Sequence, residues 1–402
     1  MTTSTLLTPT SERRDPARLP WAALLVMALT GFIIIATETM PAGLLPQIAT
    51  GLHVAEGAAG QFVSVYALGT VLAAIPAITL TRGTRRKPLL IAGILGFLVA
   101  NTITAFSPDL TLSLAARFIA GAFSGLLWGM LAGYARRIVA HEHSGRALAI
   151  AMTGTPVALS VGTPLGSWIG TAFDWRWSFG AMSVLSILAL ILAVALVPDA
   201  PGQGAARRMP LRRVIGIPGV SVILIAVFTW MLAHNIEYTY IASYLQSAGL
   251  DLPVDLALVT FGVAALIGIW VTGLVIDHNL RGLVLVSIGL FLIAGVTFIV
   301  GAHSLGAVLV AIVLWGLAFG GAATQLQTAM GEASGENADV ANSLLTVSFN
   351  LAIFAAGVGG ALVIGVDAVA LPIVMVLFAA VALIVVAIGR RSAFPRNASR
   401  TG

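Results

Sequence analysis

Apolar stretches of roughly twenty residues, each closed by a cluster of charged, proline or glycine positions, recur along the whole chain. A helix needs about 20 such residues to cross a hydrocarbon core. Twelve segments meet that length: 21–44, 60–80, 88–107, 111–134, 147–171, 178–197, 218–246, 255–276, 283–301, 305–329, 341–364 and 370–389. None shows the strict polar/apolar alternation of a barrel strand, and open strands cannot satisfy their backbone in lipid, so all twelve are expected to be helices. The predicted fold class is an all-α polytopic membrane protein.

Composition agrees with that pattern. Of 402 residues, 58% are hydrophobic and 9% charged, against roughly a quarter charged in a soluble domain. The 43 glycines and 17 prolines fit membrane helices, which carry both more often than soluble ones do. The absence of cysteine excludes disulfides, thiolate catalysis and cysteine metal sites. The opening "MTTSTLLTPTSERRDPARLP" is polar, and the apolar stretch after it lacks a small-residue cleavage site, so no removable signal peptide is expected.

Charge placement supplies topology. Alternate loops hold Arg13, Arg14 and Arg18; Arg82, Arg85, Arg86 and Lys87; Arg136, Arg137 and Arg146; Arg207, Arg208, Arg212 and Arg213; Arg281; and Arg390, Arg391, Arg396 and Arg400. The opposite loops hold only Arg176, and Arg117 lies within a span. The positive-inside rule makes the basic set cytoplasmic, with both termini inside. The pI near 10.2 then reflects topology, and no nucleic-acid partner is called for.

The one long polar connection, "VPDAPGQGAARRMPLRRVIGIPG", separates six spans from six. The expected organisation is a cytoplasmic tail 1–20, a six-helix bundle 21–197, a linker 198–217, a second bundle 218–389 and a cytoplasmic tail 390–402. A shift of 199 positions lays Glu38 on Glu237, Gln47 on Gln246 and Gly121 on Gly320, which suggests parallel six-helix repeats.

Several local motifs resemble one family. "TETMPAGLLPQIATGL", "RFIAGAFSG" (Arg117, Gly121, Gly125), "GTPVALSVGTPLG" (Gly154, Gly162, Pro164, Gly166) and "YTYIASYLQ" are similar to signatures of the twelve-helix drug:proton antiporters. Those belong to the major facilitator superfamily, and the chain resembles in particular bacterial exporters of the chloramphenicol, arabinose-efflux and purine-nucleoside type. It covers essentially the whole chain and implies two pseudo-symmetric six-helix bundles, with the fifth-helix motif, Pro156 included, as a hinge and seal. The family's Gly-x-x-x-Asp-Arg-x-Gly-Arg-Lys loop is altered here. "ITLTRGTRRKPLL" keeps Arg86 and Lys87 but puts Arg82 at the acidic position, while "GLVIDHNLR" retains Asp277 and Arg281 as a possible cytoplasmic gate.

Buried ionisable groups are the chemical candidates. Glu38 sits about 9 Å inside the predicted end of helix one, too deep to snorkel easily, so it should face a cavity as a proton-coupling acid; the plain alternative is a structural acid held by hydrogen bonds. Arg117 heads the stripe Gly121, Gly125, Gly129 on helix four. The stripe should face protein, with Arg117 either a fixed positive field beside Glu38 or a structural clamp. Trp230, His234, Glu237, Tyr240 and Tyr244 recur at helical spacing on helix seven, a face suited to a cargo cavity or to plain packing. Gln325 and Gln327 add polar groups on helix ten. Gly154, Pro156, Gly162 and Pro164 predict two kinks in helix five, unless they are ordinary membrane-helix usage.

"HEH" at 141–143 has no further ligands nearby, so no metal is expected. Asn397-Ala398-Ser399 is a glycosylation sequon on a cytoplasmic tail. Phosphate-binding loops and nucleophile elbows are absent, so neither an ATP-driven pump nor an enzyme is expected. The sequence reading is a monomeric, lipid-embedded carrier in the cytoplasmic membrane, exchanging small molecules for protons without a cofactor. A sugar or nucleoside importer of the same fold and a non-transporting sensor or scaffold are the alternatives.

Overall fold

The computed structural model describes residues 19–81, 83–140, 143–202, 211–335, 338–389 and 393–394. Among them every regular element is a helix, and eleven helical runs are long and apolar enough to cross a membrane. Twelve predicted spans and eleven runs are reconciled by one run, Val254–Val300, which holds the eighth and ninth predicted spans. Asn279 takes a non-helical conformation inside it and its side chain accepts from the Gly282 N–H at 2.9 Å, so that residue ends one helix and caps the next.

The membrane helices are α1 (Trp21–Thr39), α2 (Gln61–Leu80), α3 (Arg86–Phe106), α4 (Leu110–Arg137), α5 (Ser144–Ala172, interrupted), α6 (Trp175–Leu196), α7 (Val220–Thr239), α8 (254–278), α9 (280–300), α10 (Leu305–Ser334, interrupted), α11 (Ala338–Ile364) and α12 (Leu371–Ile388). Their starts follow ordinary capping chemistry. Asp109 accepts from the Leu112 N–H before α4, Asp174 from Arg176 before α6, and Ser304 from Ala307 before α10. Beyond α1 the chain continues through a tight 3₁₀ turn, Met40–Leu44, into a further helix, Leu45–Leu52. Helix one therefore runs past its predicted end, and Glu38 lies well inside the span.

Small residues set how closely the helices approach. A methyl group at Gly121 would overlap the Tyr66 carbonyl, and one at Gly320 would overlap the Ala265 carbonyl. Both members of each contact differ by the same 199 positions, so the repeat seen in the sequence is also a repeat of backbone contacts between α4 and α2 and between α10 and α8. Gly125 continues the first contact against Thr70 and Ala74. Gly129 does not: it is exposed, because the stripe rotates off the α2 face before it reaches that turn.

A continuous apolar core fills the second half of the chain and extends to Met40, Leu44, Ile48, Phe62 and Trp175 of the first half. A second core, around Met27, Ile34, Tyr66, Phe97, Leu127 and Tyr134, is confined to the first half. The halves of the chain thus meet at the end that carries residues 40–62. There Ser243 donates to Glu56, Gly57 packs on Ala361 and Gly60 on Tyr240. Large apolar side chains such as Leu80, Phe106, Trp177, Val300, Val366 and Ile388 are exposed on the outside, a surface suited to lipid tails and not to water.

Candidate functional site

Glu38 is bracketed by two threonines with different tasks. The Thr37 carbonyl accepts from Arg117 Nη1 at 2.8 Å, and its hydroxyl accepts from Asn101 at 3.2 Å. Thr39 Oγ1 bonds the Ile35 carbonyl at 2.8 Å and lies 2.6 Å from Thr163 Oγ1 on α5. The last turn of α1 is therefore held by α3, α4 and α5, while the Glu38 carboxylate makes no hydrogen bond or ion pair among the described residues. It is buried, with 8% of its surface exposed.

Arg117, 1% exposed, is anchored on backbone. Its Nε donates to the Phe62 carbonyl at 2.9 Å, and its guanidinium lies 4.6 Å from the Tyr66 ring centre. The ion pairs among the described residues are Arg85 with Asp199 and Arg176 with Asp174. Arg117 and Glu38 make no salt bridge with each other. Nη2 is buried with no partner. Arg117 thus bonds α1 at Thr37, one residue before the acid, and α2 at Phe62.

The repeat-related site is built differently. Glu237 is 0% exposed, and both carboxyl oxygens lack a partner. The position equivalent to Arg117 is Gly316, where an added methyl would press on the Phe261 carbonyl; Phe261 is itself the equivalent of Phe62. The same backbone contact is kept in both halves of the chain, while the cation is present in only one.

Around His234 the side chains form an aromatic cluster. Its ring stacks on Phe319 at 3.5 Å and 7°, with Tyr238 at 5.2 Å and Phe261 at 5.7 Å. Trp315 Nε1 donates to His234 Nδ1 at 3.0 Å, so Nδ1 presents a lone pair and the neutral ring carries its proton on Nε2. Trp230 is edge-on to Phe291 and Phe319 and fully buried, with its indole N–H unpartnered. Tyr240 and Tyr244 lie beyond the end of α7, because the helix breaks at Tyr240. Both are 0% exposed in this conformation, and their hydroxyls donate to Gly357 at 2.5 Å and Phe298 at 2.9 Å. Gln325 donates to Thr272 at 3.1 Å and Ser287 at 3.0 Å, leaving its oxygen unpartnered. Gln327 is exposed.

In α5 the regular helix stops at Met152, restarts at Gly154 and passes through a π turn, Ala158–Gly162, before Thr163 and Pro164. Both irregularities fall at the predicted Gly-Thr-Pro segments, with Pro156 and Pro164 on the following turns. Gly154 abuts the Ala28 carbonyl, Gly162 the Phe32 ring and Gly166 the Met40 side chain, so α5 lies against α1 along its length.

At the basic end, Asp199 supplies an acid close to the loop whose acidic position is filled by Arg82, a residue outside the described set. Asp199 pairs with Arg85 and accepts from the Lys87 and Ala200 N–H groups. Its partial burial opposes charge, but those three donors outweigh it and hold the carboxyl below its ordinary value. The Arg86 N–H donates to the Ala200 carbonyl at 2.9 Å, and Lys87 Nζ donates to the Val194 carbonyl at 2.7 Å. Asp277 is exposed, and Arg281 reaches the Ala387 and Phe394 carbonyls at 3.2 and 3.1 Å. His141, Glu142, Arg207, Arg208, Arg390, Arg391, Arg396, Asn397, Arg400 and the tail 1–18 also lie outside the described residues. Among those described, no group of three or more His, Cys, Asp or Glu could hold a metal.

Tyr238, Thr39, Thr163, Phe261, Trp315 and Phe319 were not singled out from the sequence. Thr39 and Thr163 are 124 residues apart, as are Gly43 and Ser167, which also bond across the same helix pair at 3.1 Å. That constant separation reflects parallel packing of the two segments and has no signature in local sequence.

This helical architecture is that of a membrane carrier. Residues 27–357 match the family model of the Major Facilitator Superfamily, and the chain belongs to that family. It is similar to the "Purine ribonucleoside efflux pump NepI" of Salmonella paratyphi B, 28% identical over 348 residues, which cover 86% of this chain and 87% of that one. The Salmonella typhimurium pump of the same name is 29% identical over 349 residues, with the same coverage. A crystal structure of a D-xylose-proton symporter shares the fold with a TM-score of 0.73 and 14% identity, covering 94% of this chain and 97% of that one. The protein is thus a transporter of small molecules and not an enzyme.

Proposed function

We propose that the protein exports small molecules in exchange for protons by alternating access, with Glu38 as the acid that gains and loses the exchanged proton. The observation that carries this reading is a buried, membrane-embedded carboxylate with no bonded partner, beside a buried guanidinium that is fixed on backbone. An acid in such a place can change its charge without breaking a salt bridge. Names of relatives at 28% and 29% identity suggest purine ribonucleosides as the first cargo to try. A planar base suits the aromatic cluster at His234, and the polar groups of Gln325 and Gln327 suit a neutral polar solute. Segments 21–197 and 218–389 act as rocking halves joined by 198–217, α5 bends at its irregular turns, and the Asp199 cluster with Arg86 and Lys87, together with Asp277 and Arg281, steadies the cytoplasmic face. The proton gradient is the energy source and no cofactor takes part; a single chain in the cytoplasmic membrane is the working unit.

The test is reconstitution into liposomes under an imposed pH gradient, with inosine, chloramphenicol and arabinose as trial cargoes. Movement of one of them against an opposite proton flux is expected. Equilibration of a cargo with no proton movement would replace this reading with that of a facilitator, and no cargo flux at all would favour a sensor.

Orientation has its own test. On the reading that the basic loops are cytoplasmic, both termini lie inside and the end at Glu56 and Ser243 is the outer one. In a chain without native cysteine, Asp251→Cys should label with an impermeant maleimide on intact cells, and Arg212→Cys only after permeabilisation. Labelling of Arg212→Cys from outside would invert the topology.

A further inference from the structure

Between the acid of the first half of the chain and the aromatic cluster of the second stands Tyr238, 4% exposed. Its ring belongs to the cluster: it lies 5.2 Å from His234, 5.5 Å from Phe261 and 6.1 Å from Trp315. Its hydroxyl faces the other way, towards Thr39 on α1 and Thr163 on α5, which lie 2.6 Å from each other. A buried hydroxyl needs polar company, and this threonine pair is the polar group on that side of the ring, next to the π turn on which Gly262, the neighbour of Phe261, packs through Ser160.

Each threonine is attached to a working part. Thr39 is the residue after Glu38 and ties off the last turn of α1 through the Ile35 carbonyl. Thr163 follows directly on the π turn of α5, and its hydroxyl reaches back over that turn to the Ala158 carbonyl at 3.2 Å. Tyr238 also neighbours Glu237 in sequence, on the helix that presents His234 to the cluster. One side chain therefore stands among the aromatic face, the irregular joint of α5 and the turn that holds the acid.

We propose that Tyr238 is the positioning residue that couples occupation of the aromatic face to Glu38. This rests on the proton-exchange reading above and adds the route by which cargo is felt at the acid. A planar cargo lying against His234 and Tyr238 displaces the tyrosine ring. The hydroxyl then shifts against Thr39 and Thr163, and the turn carrying Glu38 moves with them. No chemical bond forms or breaks in the process; the tyrosine works as a lever between packed elements.

The experiment compares wild type with Tyr238→Phe, Tyr238→Leu, Thr163→Val and the Tyr238→Phe/Thr163→Val pair, with inosine as the probe. Inosine affinity is measured on purified protein, and protons exchanged per inosine are measured in liposomes. Tyr238→Phe keeps the ring but not the hydroxyl, so its proton-to-inosine ratio should fall by half or more, with its inosine affinity read beside it. Tyr238→Leu should lose affinity as well. Thr163→Val should reproduce Tyr238→Phe, and the double variant should be no worse than either, as expected for two groups acting through one contact. An unchanged ratio in Tyr238→Phe, or additive losses in the pair, would overturn the role of Tyr238 while leaving proton exchange intact. Failure of wild type to bind inosine would overturn the cargo side of the proposal. Inosine movement by wild type without protons would refute the transport reading itself.

Discussion

Glu38→Gln should abolish transport driven by a pH gradient while leaving cargo binding within a few-fold of wild type. Glutamine keeps the size of the side chain and can hydrogen-bond, but it carries no exchangeable charge. Because the carboxylate makes no hydrogen bond or ion pair among the described residues, its replacement leaves no stranded partner, so the folded yield should hold. That separates this position from most buried polar sites, where removal of one partner strands the other at a cost of about 1–3 kcal/mol. The measurement is proton flux and cargo flux in the same liposomes. Wild-type proton exchange in the variant would move the proton to another acid, and Glu237 would be the first to examine.

Arg117→Gln should be the more damaging substitution, for a different reason. The guanidinium donates to the Phe62 and Thr37 carbonyls, and hydrogen bonds from a charged donor contribute about 1.5–3 kcal/mol each. Their loss removes both charged-donor bonds by which α4 holds α1 and α2. The expected result is a fall in melting temperature and in the yield of dispersed protein, together with an altered pH profile of transport in the fraction that folds. Arg117→Lys should recover part of both, since it keeps the charge but not the planar fork that reaches two carbonyls at once. A lower yield with an unchanged pH profile would reduce Arg117 to a clamp between α1 and α2.

Much of the fold was open to reading because lipid is a demanding solvent. It requires long apolar helices and leaves the breaks conspicuous, so even the polar interruption around Asn279 was seen as a boundary between spans, although the helical run is otherwise continuous. The depth of Glu38 and the irregularity of α5 followed from the same logic of length and proline placement. The cluster on helix seven was only partly legible. Helical spacing placed Tyr240 and Tyr244 on one face with His234, but the helix ends at Thr239, and the turn at Tyr240 carries both rings into packing against α11 and α9. Tyr238 escaped notice because its importance lies in contacts with α1 and α5 that no local pattern encodes. Gly129 misled for a related reason: spacing by four drifts slowly around a helix, so a stripe that begins on a neighbour need not end on it.

The unequal furnishing of the two repeats has an electrical consequence. With Glu38 ionised, that acid and Arg117 sum to zero, and the membrane voltage exerts no net pull on the pair. When Glu38 takes up a proton, Arg117 is left as an uncompensated charge, and Gly316 provides nothing equivalent in the other half. Full passage of one charge through 100 mV is worth about 2.3 kcal/mol, so even a fraction of that path biases the loaded carrier toward the negative side. On the proposed cycle, voltage therefore pulls on the Glu38–Arg117 pair only while it carries its proton.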